Sequence, residues 1–153
     1  MPRYQRLKNE HIQPVDAPIS RAKARELLID YLMQVTGWPR PTAEYSAFDF
    51  DTSADEHEQK LDESFEVATS NASLEVEMTT EEVANLTTEL NSEELAAKAR
   101  SALQSDLEKA RKQLARYQAV IDKAEARRSA GKSDYRKLLI RAANKIVSEE
   151  ERM

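Results

Sequence analysis

The chain has 153 residues, no cysteine and only two glycines, Gly37 and Gly131. That composition excludes disulfides, zinc fingers and thiol catalysis, and it leaves little scope for glycine-built phosphate cradles. The net charge of −5 averages three unlike segments: residues 1–42 carry +3, residues 43–82 carry −12 and residues 83–153 carry +4. Charge separation of this kind concerns partners and association rates, not fold.

Residues 1–19 contain Pro2, Pro14 and Pro18 and no helical period. They read as an extended basic arm, with Arg3, Tyr4, Arg6 and Lys8 able to touch a polyanion. The first ten residues lack an apolar run, so they do not read as a signal peptide. The stretch Leu27–Val35 is too short and too interrupted to span a bilayer, and a cytoplasmic protein without membrane contact is expected.

Ser20 is placed to cap a helix over 21–36, whose apolar stripe is Leu27, Leu28, Tyr31, Leu32 and Val35. Gly37 stops that helix, and Pro39 and Pro41 are expected to keep it from resuming. Trp38 reads as an anchor packed on the turn, with a surface contact residue as the alternative. Residues 42–63 are acidic, and an irregular or disordered segment is expected there. Tyr45, Phe48 and Phe50 interrupt it as docking anchors.

In 64–78, Phe65, Val67, Leu74, Val76 and Met78 alternate with polar residues, which predicts a small β-hairpin turning at Ser70-Asn71. Thr79 and Glu82 form a capping box for a short helix over 80–90. The sequence Asn91-Ser92-Glu93-Glu94 repeats that device. The strongest pattern follows. Ala96, Leu103, Ala110, Tyr117 and Ala124 recur every seven residues and interleave with Leu107, Leu114 and Ile121. These are the seam positions of a coiled-coil helix over 92–130, about 58 Å long. Gly131 ends it. Ser133 is expected to cap a last helix over 134–151 with the stripe Tyr135, Leu138, Leu139, Ala142, Ile146 and Val147, folded back as its antiparallel neighbour.

The predicted architecture is therefore mainly α: a long antiparallel helical hairpin over 91–153, preceded by a region over 20–90 that holds an N-terminal helix, an acidic loop, a β-hairpin and a short helix. With the arm, these form one compact domain.

No catalytic pattern survives inspection. The run Asp49-Phe-Asp51-Thr-Ser53-Ala-Asp55 starts like a calcium loop but has Ala54 and Lys60 where glycine and glutamate are needed. His57 has no second histidine at helical spacing, so no metal site is expected. Gly131-Lys132-Ser133 lacks the upstream glycine of a phosphate-binding loop. Ser20-x-x-Lys23 and Ser129-x-x-Lys132 lack the companion motifs of a serine nucleophile, and capping explains the serines. The expectation is a protein that binds rather than catalyses, without a cofactor.

Two charged surfaces remain. Glu44, Tyr45, Phe48, Asp49, Phe50, Asp51, Asp55, Glu56 and Glu58 would form an acidic face for a partner protein with a basic surface. A row of carboxylates can imitate a phosphate backbone, so an inhibitor or adaptor of a nucleic-acid-handling protein is the favoured reading. Phage or mobile-element counter-defence is a setting for such nucleic-acid mimics, by class-level analogy alone. The alternative is direct nucleic-acid binding through a basic hairpin over 109–145: Lys109, Arg111, Lys112, Arg116, Lys123, Arg127, Arg128, Arg136, Lys137 and Arg141. A third reading is a coiled-coil scaffold or assembly protein, a homodimer joined through the seam of helix 92–130.

Overall fold

In a computed structural model that describes residues 3–92 and 95–153, the chain is mainly helical. Five helices occur: α1 (Arg21–Thr36), α2 (Arg40–Ser46), α3 (Phe48–Leu90), α4 (Ala97–Gly131) and α5 (Arg136–Arg152), preceded by a 3-10 turn at Asn9–His11. The chain groups into two compact units. One holds residues up to 62 together with 129–153, and the other holds 63–128. These boundaries fall within α3 and just before the end of α4.

The first unit contains the main core. Ser20 Oγ accepts the Lys23 amide at 3.2 Å, and Gly37 adopts the left-handed conformation at φ 75° that closes α1. Both ends of α1 thus match the sequence reading. Helix α1 does not resume beyond Pro39, but the prolines also start a new helix, which was not expected. Pro39 is the N-cap of α2 and Pro41 lies in its first turn, where a missing amide hydrogen has no helical acceptor to lose.

The acidic segment 42–63 is helical, not irregular. Ala43, Ala47, Phe50 and Ala54 are fully buried, and their spacing of four, three and four residues is one helical face. Small side chains and surrounding carboxylates disguise that face in the sequence. Arg21 meets Asp55 at 2.8 Å and Glu58 at 2.6 Å, and Arg25 meets Asp51 at 3.2 Å, so cations from α1 offset the acids of α3.

Helix α5 packs on α1 through Leu139, Ala143 and Val147. The expectation that it would run back along the long helix is corrected. Its start is also different. Ser133 Oγ donates to the Ala130 carbonyl at the end of α4, while Asp134 Oδ1 accepts both the Arg136 and the Ile19 amides at 3.2 Å. Tyr135 N–H donates to the Ile19 carbonyl at 2.8 Å. These bonds pull α5 toward the N-terminal arm.

That arm is not free. Leu7, Ile12 and Ile19 are buried in the core. Asn144 on α5 pairs with both the amide and the carbonyl of Leu7, and Arg6 is ion-paired to Glu151. Arg136, 8% exposed, donates to Asn9 Oδ1 and to the carbonyls of Ile12, Pro14 and Ala17.

The second unit is an antiparallel helical hairpin made by the rest of α3 and most of α4. At one end Arg100 Nη1 donates to the Leu90 carbonyl at 2.8 Å. At the other the Arg128 guanidinium lies 3.7 Å over the Phe65 ring. The heptad seam of α4 is as read: Leu107, Ala110 and Ala124 are buried, and Leu103, Leu114, Tyr117 and Ile121 are half-buried. Ala96 precedes the helix and is exposed. The seam faces α3 of the same chain.

The small β-hairpin is not present; among the described residues there is no strand. Residues 64–78 belong to α3, and no glycine or proline occurs between Pro41 and Gly131 to turn the chain. The apparent alternation superimposes two helical faces. Phe65, Thr69, Ala72, Val76 and Thr79 face inward, while Val67, Leu74 and Met78 face out. Thr79 is a buried seam residue and not a cap. Thr69 satisfies its hydroxyl on the Phe65 carbonyl at 2.7 Å, four residues back, which lets threonine sit inside a helix. Glu93 and Glu94 of the second expected cap lie outside the described residues.

Candidate functional site

The C-terminal turn of α1, α2, the first turn of α3 and the end of α5 enclose a cleft of about 490 Å³. Its position follows from local chemistry. Gly37 ends α1, and Thr36 Oγ1 accepts the Trp38 amide at 3.1 Å, which directs the indole back onto the core. Helix α2 then buries Ala43 and Ala47, so Tyr45 is turned outward at 84% exposure. Phe48 is 68% exposed for the same reason: its neighbour Phe50 takes the inward position. Ile146 and Met153 complete the apolar lining.

Three carboxylates stand at this cleft: Asp49 from α3, and Glu149 and Glu150 from α5. Among the described residues, none of them has a lysine or arginine within ion-pair distance. Elsewhere on the acidic face Glu44, Asp51, Asp55 and Glu58 are matched by arginines. Arg40 bridges Glu44 at 2.7 Å and Glu26 at 3.0 Å. The paired and unpaired carboxylates thus divide between structure and surface.

The predicted acidic residues therefore separate. Tyr45, Phe48 and Asp49 come together at the cleft, with Glu44 beside them but paired. Phe50 is fully buried and holds the core, so it is not available as a docking anchor. Asp51, Asp55 and Glu58 bind α3 to α1, and Glu58 also accepts the Tyr135 hydroxyl at 2.9 Å. Burial and that bond to Glu58 push the Tyr135 hydroxyl up to about 12. Glu56 is exposed. Its neighbour His57 rests on the Gly131 carbonyl at 2.8 Å and edge-on to Tyr135. Among the described residues, no group of three or more acids and histidines is arranged to hold a metal ion.

The predicted basic set separates as well. Lys109, Lys112 and Arg116 are exposed around a shallow hollow on α4, and Arg111, Lys123 and Arg127 are exposed on the same helix. Arg128 is engaged with Phe65 and Glu125. Arg136 is buried against the arm, while Lys137 and Arg141 are exposed on α5. Sequence reasoning missed Glu149, Glu150 and Met153, which reach the cleft from about a hundred residues away and carry no local signal. It also missed the role of Arg136, which looks like one more cation in a basic run. Among the described residues, no helix is long and apolar enough to cross a membrane.

No family model, curated protein or solved structure matches the chain.

Proposed function

We propose that the protein is a non-catalytic binding protein whose Trp38–Tyr45–Phe48 cleft receives a basic segment of a partner protein, acting as an acidic inhibitor or adaptor. The observation that carries this reading is the meeting of three aromatic rings with three carboxylates that, among the described residues, lack a cation of their own. Aromatic faces attract lysine ammonium and arginine guanidinium groups, and ionised carboxylates accept their hydrogen bonds. Exposed Tyr and Phe offer the apolar area that gives interface centres most of their binding energy. Solvation alone would not favour two rings at 84% and 68% exposure in one place.

Trp38 is the single tryptophan of the chain and lines the cleft, so its fluorescence reports occupancy directly. Titration with a soluble peptide alternating arginine and leucine should shift the Trp38 emission saturably. A peptide with glutamate in place of arginine should leave it unchanged. Changing Tyr45 and Phe48 together to Ala should weaken binding about 10-fold or more. Neutralising Asp49→Asn, Glu149→Gln and Glu150→Gln should remove most of the salt dependence. An emission shift that is equal for the acidic peptide, or unaffected by both sets of changes, would contradict the proposal.

A further inference from the structure

The hairpin of the second unit carries opposite charges on its two arms. Between 63 and 90, α3 has seven glutamates and no lysine, arginine or aspartate. Between 97 and 128, α4 has nine lysines and arginines against four acids. The arms lie side by side, yet along most of their length these charges are not paired across the hairpin. Among the described residues, Glu66, Glu75, Glu77, Glu81 and Glu82 make no ion pair. Lys109, Arg116, Lys123 and Arg127 make none either, and Lys112 reaches only Glu108 of its own helix at 3.3 Å.

The reason is placement. The charged side chains occupy the outward positions, away from the seam. On α3 they surround an apolar stripe: Val67, Leu74 and Met78 are 81%, 54% and 56% exposed, and their spacing of seven and four puts them on one helical face with Glu77 and Glu81. On α4 a matching stripe runs through Lys109, Lys112, Arg116, Val120, Lys123 and Arg127, at intervals of three or four residues, with Val120 at 43% exposure. It extends about 27 Å. The two stripes are complementary in charge, and each contains apolar side chains left in water.

We infer that a second copy of this chain covers these stripes, the acidic stripe of α3 in one copy lying on the basic stripe of α4 in the next. Each stripe points away from its own hairpin seam, so the contact is head-to-tail and repeats from copy to copy. A nucleic acid is the less suitable occupant of the basic stripe. Packed helix axes lie about 8–10 Å apart, so phosphates on α4 would stand about one Debye length from the glutamates of α3. The covered face, about 27 Å by one helix width, is smaller than a standard interface. This inference is independent of the aromatic cleft.

Sedimentation velocity of the full chain between about 1 and 200 µM tests it, since a self-associating chain depends on protomer concentration. At about 50 mM salt the mass should rise past that of the monomer with concentration, and the dissociation constant should rise at least 10-fold at about 500 mM salt. One variant, Lys109→Glu with Lys112→Glu and Arg116→Glu, makes both arms acidic. Another, Glu77→Lys with Glu81→Lys and Glu82→Lys, makes both arms basic. Each should be monomeric alone with unchanged helical circular dichroism, and an equimolar mixture should recover the association. A wild-type chain that stays monomeric at low salt overturns the inference. So does association that survives in both variants, or a mixture that remains monomeric. A short DNA or RNA duplex shifted by a wild-type chain that stays monomeric would assign the basic stripe to nucleic acid instead.

Discussion

The two units are built from the same kind of helix but closed in different ways. The first buries large side chains completely: Phe50, Leu28, Ile29, Leu32, Leu139 and Val147 all lie below 2% exposure. It also ties its N-terminal arm down with a buried arginine. Among the described residues the second has a thinner seam: Thr69, Ala72, Thr79, Leu107, Ala110 and Ala124 are buried, Phe65, Leu114 and Tyr117 are only half-buried, and no large side chain lies below 2% exposure. A long helix in water depends on packing more than on propensity, and a thin seam supplies little packing. The first unit is thus a rigid frame on which a cleft can be preformed. The hairpin is the part that gains most from another surface.

The largest effects should come from breaking the first unit. Leu32→Ala or Phe50→Ala should cost about 3–5 kcal/mol in denaturant unfolding, because transfer and cavity terms add at a closed site. Leu107→Ala in the hairpin seam, 7% exposed, should cost about 2 kcal/mol, the low end of the same series. Equal costs would show that the two units are closed alike.

Arg136→Ala is next, at about 3 kcal/mol, since a buried guanidinium loses hydrogen bonds to four arm residues. The loss should be visible as faster amide exchange over 7–19 while the hairpin is unchanged.

Tyr135→Phe should cost about 1 kcal/mol at neutral pH through the bond to Glu58. Tyr135 also sets an alkaline limit. Its hydroxyl is raised from the ordinary 10 to about 12 in the folded chain, so the protonated form is favoured by folding. That stabilisation is complete below pH 10 and is lost as pH rises toward 12. Tyr31, also raised by its burial, contributes to the same loss. Tyr135→Phe should flatten part of this limb in a pH series of thermal unfolding. An unchanged limb would place its origin elsewhere.

The smallest effect belongs to Gly131. It is helical and has no positive φ; a Cβ there would meet the Leu61 side chain at 2.7 Å. Gly131→Ala should be nearly neutral, because a helix-propensity gain of about 1 kcal/mol is offset by displacing Leu61. In a Leu61→Ala background the gain should appear.

The same contrast explains what could be read from the sequence. Local chemistry was legible. The Ser20 cap, the Gly37 stop, the stripe of α5 and the heptad seam of α4 depend on residues a few positions apart. What failed depended on distant residues or on a disguised period. Ala43, Ala47, Phe50 and Ala54 form a helical face too small to stand out among carboxylates, so a helix looked like an acidic loop. Val67 and Met78 stand exposed on a helix whose inward face is held by Thr69, Ala72 and Thr79, and their mixture imitated a strand. The partner of the α4 seam was misassigned because a seam shows that something packs on it without showing what. At the cleft, Tyr45, Phe48 and Asp49 stood out in one acidic stretch of the sequence. Glu149 and Glu150 were not, because folding alone brings them there.

Hydrogen exchange of the full chain, followed by mass spectrometry, tests the division most directly. Exchange over 24–32 and 139–147 should require global unfolding, while 67–82 and 109–127 should open by smaller excursions. Adding the arginine–leucine peptide should slow exchange at 38–49 and 146–153 only. Raising the chain concentration should slow it at 67–82 and 109–127 only. Uniform protection across both units, or peptide and concentration acting on the same residues, would contradict the account of a preformed cleft on one unit and a self-pairing hairpin on the other.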